Sequence, residues 1–289
     1  LDSTNVRSTD GGMPQRFSVG VYVEPSTLLA GWTLTPAARL DWTNDFASGF
    51  SLSLGVARTL LPALTLSVNA STAYRAPSFN DLYWPADSGA AGNPALKPES
   101  ALAGDLGLRY AADKAAVSAT LYARYTRDVI LWQPGSDGIW RPSNYGAALY
   151  PGIEVEGSLK DEGPLSASLS YTLLHSYLLS GNYGITDDHR VPMVPEHAFE
   201  LAFNYEKSPL KGRLSLAYKG LRYLGTANVA YDPAHLVVGA HLALETGSAS
   251  ALELDAENLL GERYESVQGY PMPGASLRVS WKLRLGASR

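Results

Sequence analysis

The sequence contains no cysteine, which removes disulfide scaffolds, thiolate metal sites and cysteine nucleophiles at once. It also lacks any apolar run near the ~18 residues that a membrane-crossing helix needs. Charge is sparse. Asp, Glu, Lys and Arg make up 18% of the chain, against the usual ~25%. They sum to −5, which argues against nucleic acid as a partner. There is no G-x-S-x-G elbow, no Gly-rich phosphate loop and no H-E-x-x-H pair. Hydrolase, nucleotide and zinc-protease chemistry therefore have no motif to stand on, so the chain reads as a non-enzyme with no cofactor. Asp187-Asp188-His189 has side chains that suit a cation, but it reads first as a solvated acidic loop tip. Residue 1 is Leu, and no basic-then-apolar leader follows, as expected of a mature product or a fragment.

What is abundant is alternation. Tyrosine (17) outnumbers phenylalanine (6), and six tryptophans are present. In residues 64–74, Leu64, Leu66, Val68, Ala70, Thr72 and Tyr74 share one face, and Thr65, Ser67, Asn69, Ser71 and Ala73 the other. Successive strand side chains point to opposite faces, so this is a strand with one apolar and one polar side. About thirteen segments repeat the pattern: 16–24, 32–42, 49–59, 63–74, 101–111, 114–127, 151–160, 164–178, 197–206, 212–224, 234–245, 250–258 and 275–285. Of the 18 prolines, only Pro36 falls in the interior of one of them; the rest lie in connections or at strand edges, as Pro151 and Pro164 do.

Connection lengths alternate too. Short links fall at 60–62, 112–113, 161–163, 207–211 and 246–249. Long ones fall at 75–100, 128–150, 179–196, 225–233 and 259–274. In an up-and-down meander, alternate connections share an end. One end is therefore trimmed, and the other carries Gly/Pro-rich aromatic loops, as in outer-membrane barrels. A soluble β-sandwich also alternates, but its strands are usually ~5–6 residues long. Strands of ~10–12 residues at ~45° tilt span roughly 25 Å, the height of a lipid-facing band. Charges of both signs (Asp105, Arg109, Arg124, Glu154, Glu156, Glu200, Arg213, Lys219, Glu253, Asp255, Arg278) lie on the polar face, as a lumen requires. Glu253 and Asp255 are expected to pair with Arg278 or Lys282 across the next strand. Trp32, Trp42, Tyr74, Tyr110, Tyr125, Tyr177, Tyr205 and Tyr223 gather at strand ends, as interfacial girdles do.

Three stretches are more specific. The first is Tyr74-Arg75-Ala76-Pro77-Ser78-Phe79-Asn80-Asp81-Leu82-Tyr83, followed by Gly92-Asn93-Pro94-Ala95-Leu96-Lys97-Pro98-Glu99. It resembles the YRAPS…LY…GNPxLKPE signature of TonB-dependent outer-membrane receptors. The second is Asn258-Leu259-Leu260-Gly261-Glu262-Arg263-Tyr264-Glu265 with Gly269-Tyr270-Pro271 and Pro273-Gly274. It is similar to the family's NLxxxxYE…GYPxPGR segment, with Ala275 in place of the final Arg. The third is Arg190-Val191-Pro192-Met193-Val194-Pro195-Glu196-His197, with a weaker fourth match at Asn144…Gly152-Ile153-Glu154. The matches keep the family's order over most of residues 74–285.

The resemblance implies an all-β, antiparallel, up-and-down transmembrane barrel of 22 strands. About thirteen of these would lie in this chain, with the N-terminal plug absent. Residues 1–289 would then be the C-terminal portion of the barrel domain. It further implies outer-membrane lipid as surroundings, and TonB as a partner through the missing N-terminal region. The cargo would be an iron-siderophore or cobalamin, taken up at the expense of the proton gradient. The chain departs from the family at its end, where Leu283 stands in place of a terminal Phe. Ligand contacts are expected from the long loops: Arg75, Tyr83, Trp84, Trp132, Trp140, Tyr145, Tyr183, His189 and Tyr231. Other readings of the pattern are an autotransporter translocator, a porin, or a soluble β-sheet binding domain.

Overall fold

The computed structural model describes residues 2–5, 15–46, 48–87, 89–180, 189–267 and 269–283. Fourteen strands follow one another in chain order within one sheet. They are β1 (Asp2–Asn5), β2 (Gln15–Val23), β3 (Trp32–Thr43), β4 (Gly49–Leu61), β5 (Leu64–Arg75), β6 (Glu99–Ala111) and β7 (Ala115–Pro134). β8 (Trp140–Lys160), β9 (Leu165–Leu174), β10 (His197–Lys207), β11 (Leu210–Lys219), β12 (His235–Gly247), β13 (Ser250–Glu257) and β14 (Ser276–Leu283) complete the series. Every neighbouring pair is antiparallel. Two short strands flank this path: Thr27–Leu29 pairs with β3, and Tyr177–Ser180 pairs with β8. Among the described residues β1 and β14 do not pair, so the sheet stays open.

The thirteen alternating segments all become strands of this meander, and β1 is one that alternation missed. The stretch 164–178 divides into β9 and the short strand at Tyr177, and 212–224 ends as a strand at Lys219. Pro36 is tolerated because the ladder is interrupted beside it. β2 pairs with β3 up to Val23–Ala38, the short strand takes over at Thr27–Leu34, and residues 24–26 step out between them. A missing N–H costs little facing that gap.

The apolar face is not covered by a second sheet. Leu52, Leu54, Val68, Leu102, Leu106, Leu121, Leu169, Phe203, Leu214, Leu242, Val279 and Trp281 are all exposed. The chain exposes 18313 Å², where a soluble monomer of this mass would expose about 12,000 Å². Such a surface belongs in hydrocarbon rather than water. The opposite face is concave and polar. Arg109, Ser118, Glu156, Ser170, Glu200 and Arg213, one from each of the successive strands β6 to β11, line one depression. The expected ladder pairs form on this face: Lys282–Glu253 at 2.8 Å and Arg278–Asp255 at 3.4 Å, with His241 also on Asp255 at 2.7 Å.

Turns at one end are short, with only residues 62–63, 208–209 and 248–249 between β4 and β5, β10 and β11, and β12 and β13. At the other end, 76–98, 175–196, 220–234 and 258–275 are long. One long connection is corrected. Residues 128–150 are not a loop: β7 and β8 stay paired as far as Pro134–Trp140, and only 135–139 turn.

Candidate functional site

The described buried core is small and lies at the long-loop end, where loops cover the β7–β8 hairpin. One cluster joins Leu82, Leu96 and Ile130; the other joins Val129, Tyr145, Ala148, Tyr150, Leu178 and Val191. Val129 and Ile130 are neighbours in one strand and belong to different clusters, so separate segments cover the two sides of the hairpin.

The first motif builds the lash between loop 76–98 and that hairpin. Ser78 caps the short helix α1 (Phe79–Tyr83) in a reciprocal box: the Asp81 N–H donates to Ser78 Oγ, and Ser78 N–H and Oγ donate to Asp81 Oδ2 at 2.9 and 2.7 Å. The other carboxylate oxygen accepts the Trp132 indole N–H at 2.9 Å. Burial alone would push the Asp81 carboxyl up. The Ser78 and Trp132 hydrogen bonds and the Arg75 charge outweigh it and hold the group below its ordinary value. Asn93 donates to the Pro142 carbonyl at 3.0 Å, and Asn144 answers by binding both polar backbone groups of Lys97 and the Asp128 carbonyl. A Cβ on Gly92 would meet the Leu82 carbonyl at 2.6 Å, so only glycine fits that crossing. Glu99 takes Arg75 in a two-pronged ion pair at 2.7 Å and accepts the Ile130 N–H at 2.7 Å.

The other two motifs do the same for the neighbouring loops. Arg190 reaches His175 and Glu196 and lies 5.1 Å from the Tyr177 ring centre, while Asn228 of the next loop donates to its carbonyl at 3.0 Å. Asn258, buried and at φ 51°, donates to the Glu262 and Pro273 carbonyls at 2.9 and 3.0 Å and accepts the Glu262 N–H. Tyr264 stacks on His235 at 4.5 Å. Arg222 pairs with Asp232 and donates to the carbonyls of Glu265 and Ser266. Thr226 donates to Gln133 at 3.5 Å, which ties loop 220–234 to the hairpin.

Most motif residues thus hold loops in place. Tyr74 and Arg75 end β5, Ala76 and Pro77 turn out of it, and Pro94, Leu96 and Pro98 shape the return to Glu99. Leu259 donates its N–H to the Val238 carbonyl, and Gly274 precedes β14. Of the residues expected to touch ligand, Trp84 and Trp132 meet edge to face at 6.2 Å, and Trp140 lies on the same wall, since its N–H and carbonyl bond to Gly89 and Ala91 of loop 76–98. Tyr83, Trp84, Trp140 and Tyr231 are exposed. Tyr145 is buried in the hairpin core, and Arg75 is held by Glu99. His189 adjoins the short strand at Tyr177, its carbonyl accepting the Leu178 N–H. Tyr183, like Asp187 and Asp188, lies outside the described residues. Sequence reading missed Asp81 as the anchor of Trp132, although the Ser78-x-x-Asp81 spacing of a capping box was there to find. It also missed Arg222, Asn228, Gln133 and His235, whose partners lie in other loops.

Comparison with known proteins agrees with this architecture. The family described as "TonB dependent receptor-like, beta-barrel" matches residues 2–286. The vitamin B12 transporter BtuB of Photobacterium profundum is 27% identical over 241 residues, 82% of this chain and 38% of that protein. The iron-regulated outer membrane virulence protein of Vibrio cholerae serotype O1 is 27% identical over 252 residues, 80% of this chain and 38% of that protein. The chain therefore spans well under half of the curated relatives it matches. The siderophore receptor PirA of Pseudomonas aeruginosa superposes with a TM-score of 0.72 at 20% identity, over 96% of this chain and 49% of that one, which shows the shared fold. An apolar outside, an ionic inside and three loop-fastening motifs in family order accompany a family match over nearly the whole chain, which belongs to the TonB-dependent receptor-like β-barrel family of the Gram-negative outer membrane.

Proposed function

We propose that residues 1–289 are the C-terminal part of the barrel of an outer-membrane receptor that takes up cobalamin or a ferric siderophore. The observation that carries this reading is the set of loops fastened to one another at the open end of a one-layer sheet with an ionic inner face. Such a rim holds aromatic faces in fixed positions, and exposed Trp84, Trp140, Tyr83 and Tyr231, with Trp132 behind Trp84, suit a large and partly apolar ligand. His189 would approach from loop 175–196. The inner face, with its paired carboxylates and cations, would seat a plug supplied by the N-terminal region. TonB would pull on that plug at the expense of the proton gradient. The protein then binds and passes its cargo without a chemical step on it and needs no cofactor.

The test uses the complete receptor in a host cell that lacks its own cobalamin and siderophore receptors. Uptake of one of the two cargoes is expected, and is expected to stop when TonB is deleted or a protonophore is added. Absence of uptake for both, or uptake indifferent to the proton gradient, overturns the proposal.

A further inference from the structure

Arg58 puts a positive charge on the apolar outer face near the short-turn end. Arg58 of β4 is exposed, and its guanidinium lies 5.2 Å from the centre of the Trp32 ring. Among the described residues no carboxylate pairs with it. Leu54, Val56 and Leu60 flank it on the same face, and Leu60 continues the apolar surface beyond it towards the turn. A cation in that position needs an anion, and the described residues provide none. At the level where an indole ring settles, a bilayer offers phosphate.

Towards the long-loop end, the same surface sinks into a groove. β2 leaves the ladder at Val23, and small or short side chains follow on the next strands, giving a trough of 540 Å³ lined by Val23, Pro25, Pro36, Ala38, Ala70 and Leu102 among others. Arg58 pairs in register with Leu66. From there to Ala70 and Thr72 is about 13 and 20 Å along the strand, or about 9 and 14 Å in depth at ~45° tilt. Half of a bilayer core is about 15 Å. An acyl chain hung from a phosphate at Arg58 would therefore run into the groove and end there.

We propose that this face seats one anionic glycerophospholipid of the periplasmic leaflet, with its phosphate on Arg58 beside Trp32 and one acyl chain in the groove over Ala38 and Ala70. The inference rests on the outer face meeting lipid, and it is independent of which nutrient is carried. The test is native mass spectrometry of the complete receptor, delipidated in mild detergent and titrated with phosphatidylglycerol or phosphatidylcholine. Gel mobility without heating confirms that each variant is folded. Wild type is expected to hold one phosphatidylglycerol at least about tenfold more tightly than phosphatidylcholine. Arg58→Gln should lose that preference, and Arg58→Lys should keep most of it. Ala70→Phe, which fills the groove and leaves the cation in place, should weaken binding about fivefold or more. Equal retention of the two lipids by wild type, unchanged binding in Arg58→Gln, or unchanged binding in Ala70→Phe would each overturn the proposal.

Discussion

At the residue scale, the side chains that matter most are short polar ones with several partners each. Asp81 is buried and accepts from Ser78 and Trp132. Its carboxyl titrates below the ordinary value. Its contribution to stability is thus present above the unfolded value of about 4 and is lost as pH falls through the lower folded one. In the complete receptor, amide exchange at Ser78–Leu82 should quicken as the pH falls below about 4. Asp81→Asn should remove that acid step while leaving exchange faster at neutral pH. Glu99 is loaded more heavily, with Arg75 on both oxygens and the Ile130 amide on one. Glu99→Gln keeps the size but loses the charge and leaves one donor to face another. The expected cost is about 2 kcal/mol, read as lost exchange protection at Ile130 with the membrane strands unchanged. A loss spread evenly over all strands would contradict this local role.

At the scale of elements, the β7–β8 hairpin organises the rim. Ile130 packs between Leu82 and Leu96 of loop 76–98. Truncation to Ala should cost about 3 kcal/mol and release that loop to protease before the barrel strands melt. Protease resistance equal to wild type would show that the polar lash alone suffices. The same hairpin shows where sequence reading stops. Strands in the lipid band have one apolar and one polar side, so β5 and β13 could be read directly from their alternation. Above the band, Val129, Ile130, Tyr145, Ala147 and Ala148 are all buried because protein covers both sides, and the period of two disappears there. Glycines and prolines in the same stretch then mimic a loop. The motifs were legible as a family resemblance, and Asn144 and Asn93 within them could be named. Their roles could not be read, because Asn144 grips a residue 47 positions away and nothing in local sequence marks that partner.

For the whole molecule, the orientation of the sheet follows from which end carries the fastened loops. β7 and β8 meet through residues 135–139 at the long-loop end, with Asp137 at the tip held by Arg141 at 2.9 Å, whereas residues 161–164 make a tight turn between β8 and β9 at the other. Barrels of this class keep short turns in the periplasm and long loops outside. The chain has no cysteine of its own, so once any cysteine elsewhere in the complete receptor is replaced by serine, single cysteines report cleanly. In cells making the complete receptor, Asp137→Cys should react with a membrane-impermeant maleimide in intact cells, whereas Asp161→Cys should react only after the outer membrane is opened. Both positions are exposed, so a difference in labelling reflects sidedness rather than burial. The reverse pattern would place the aromatic rim in the periplasm, where it could not meet an external nutrient, and would move the Arg58 lipid seat to the outer leaflet. Labelling of both sites in intact cells would mean that the apolar face does not stand in a sealed membrane at all. The exposed apolar residues of the outer face, Leu52, Leu102, Phe203 and Trp281 among them, would then have to be covered by protein.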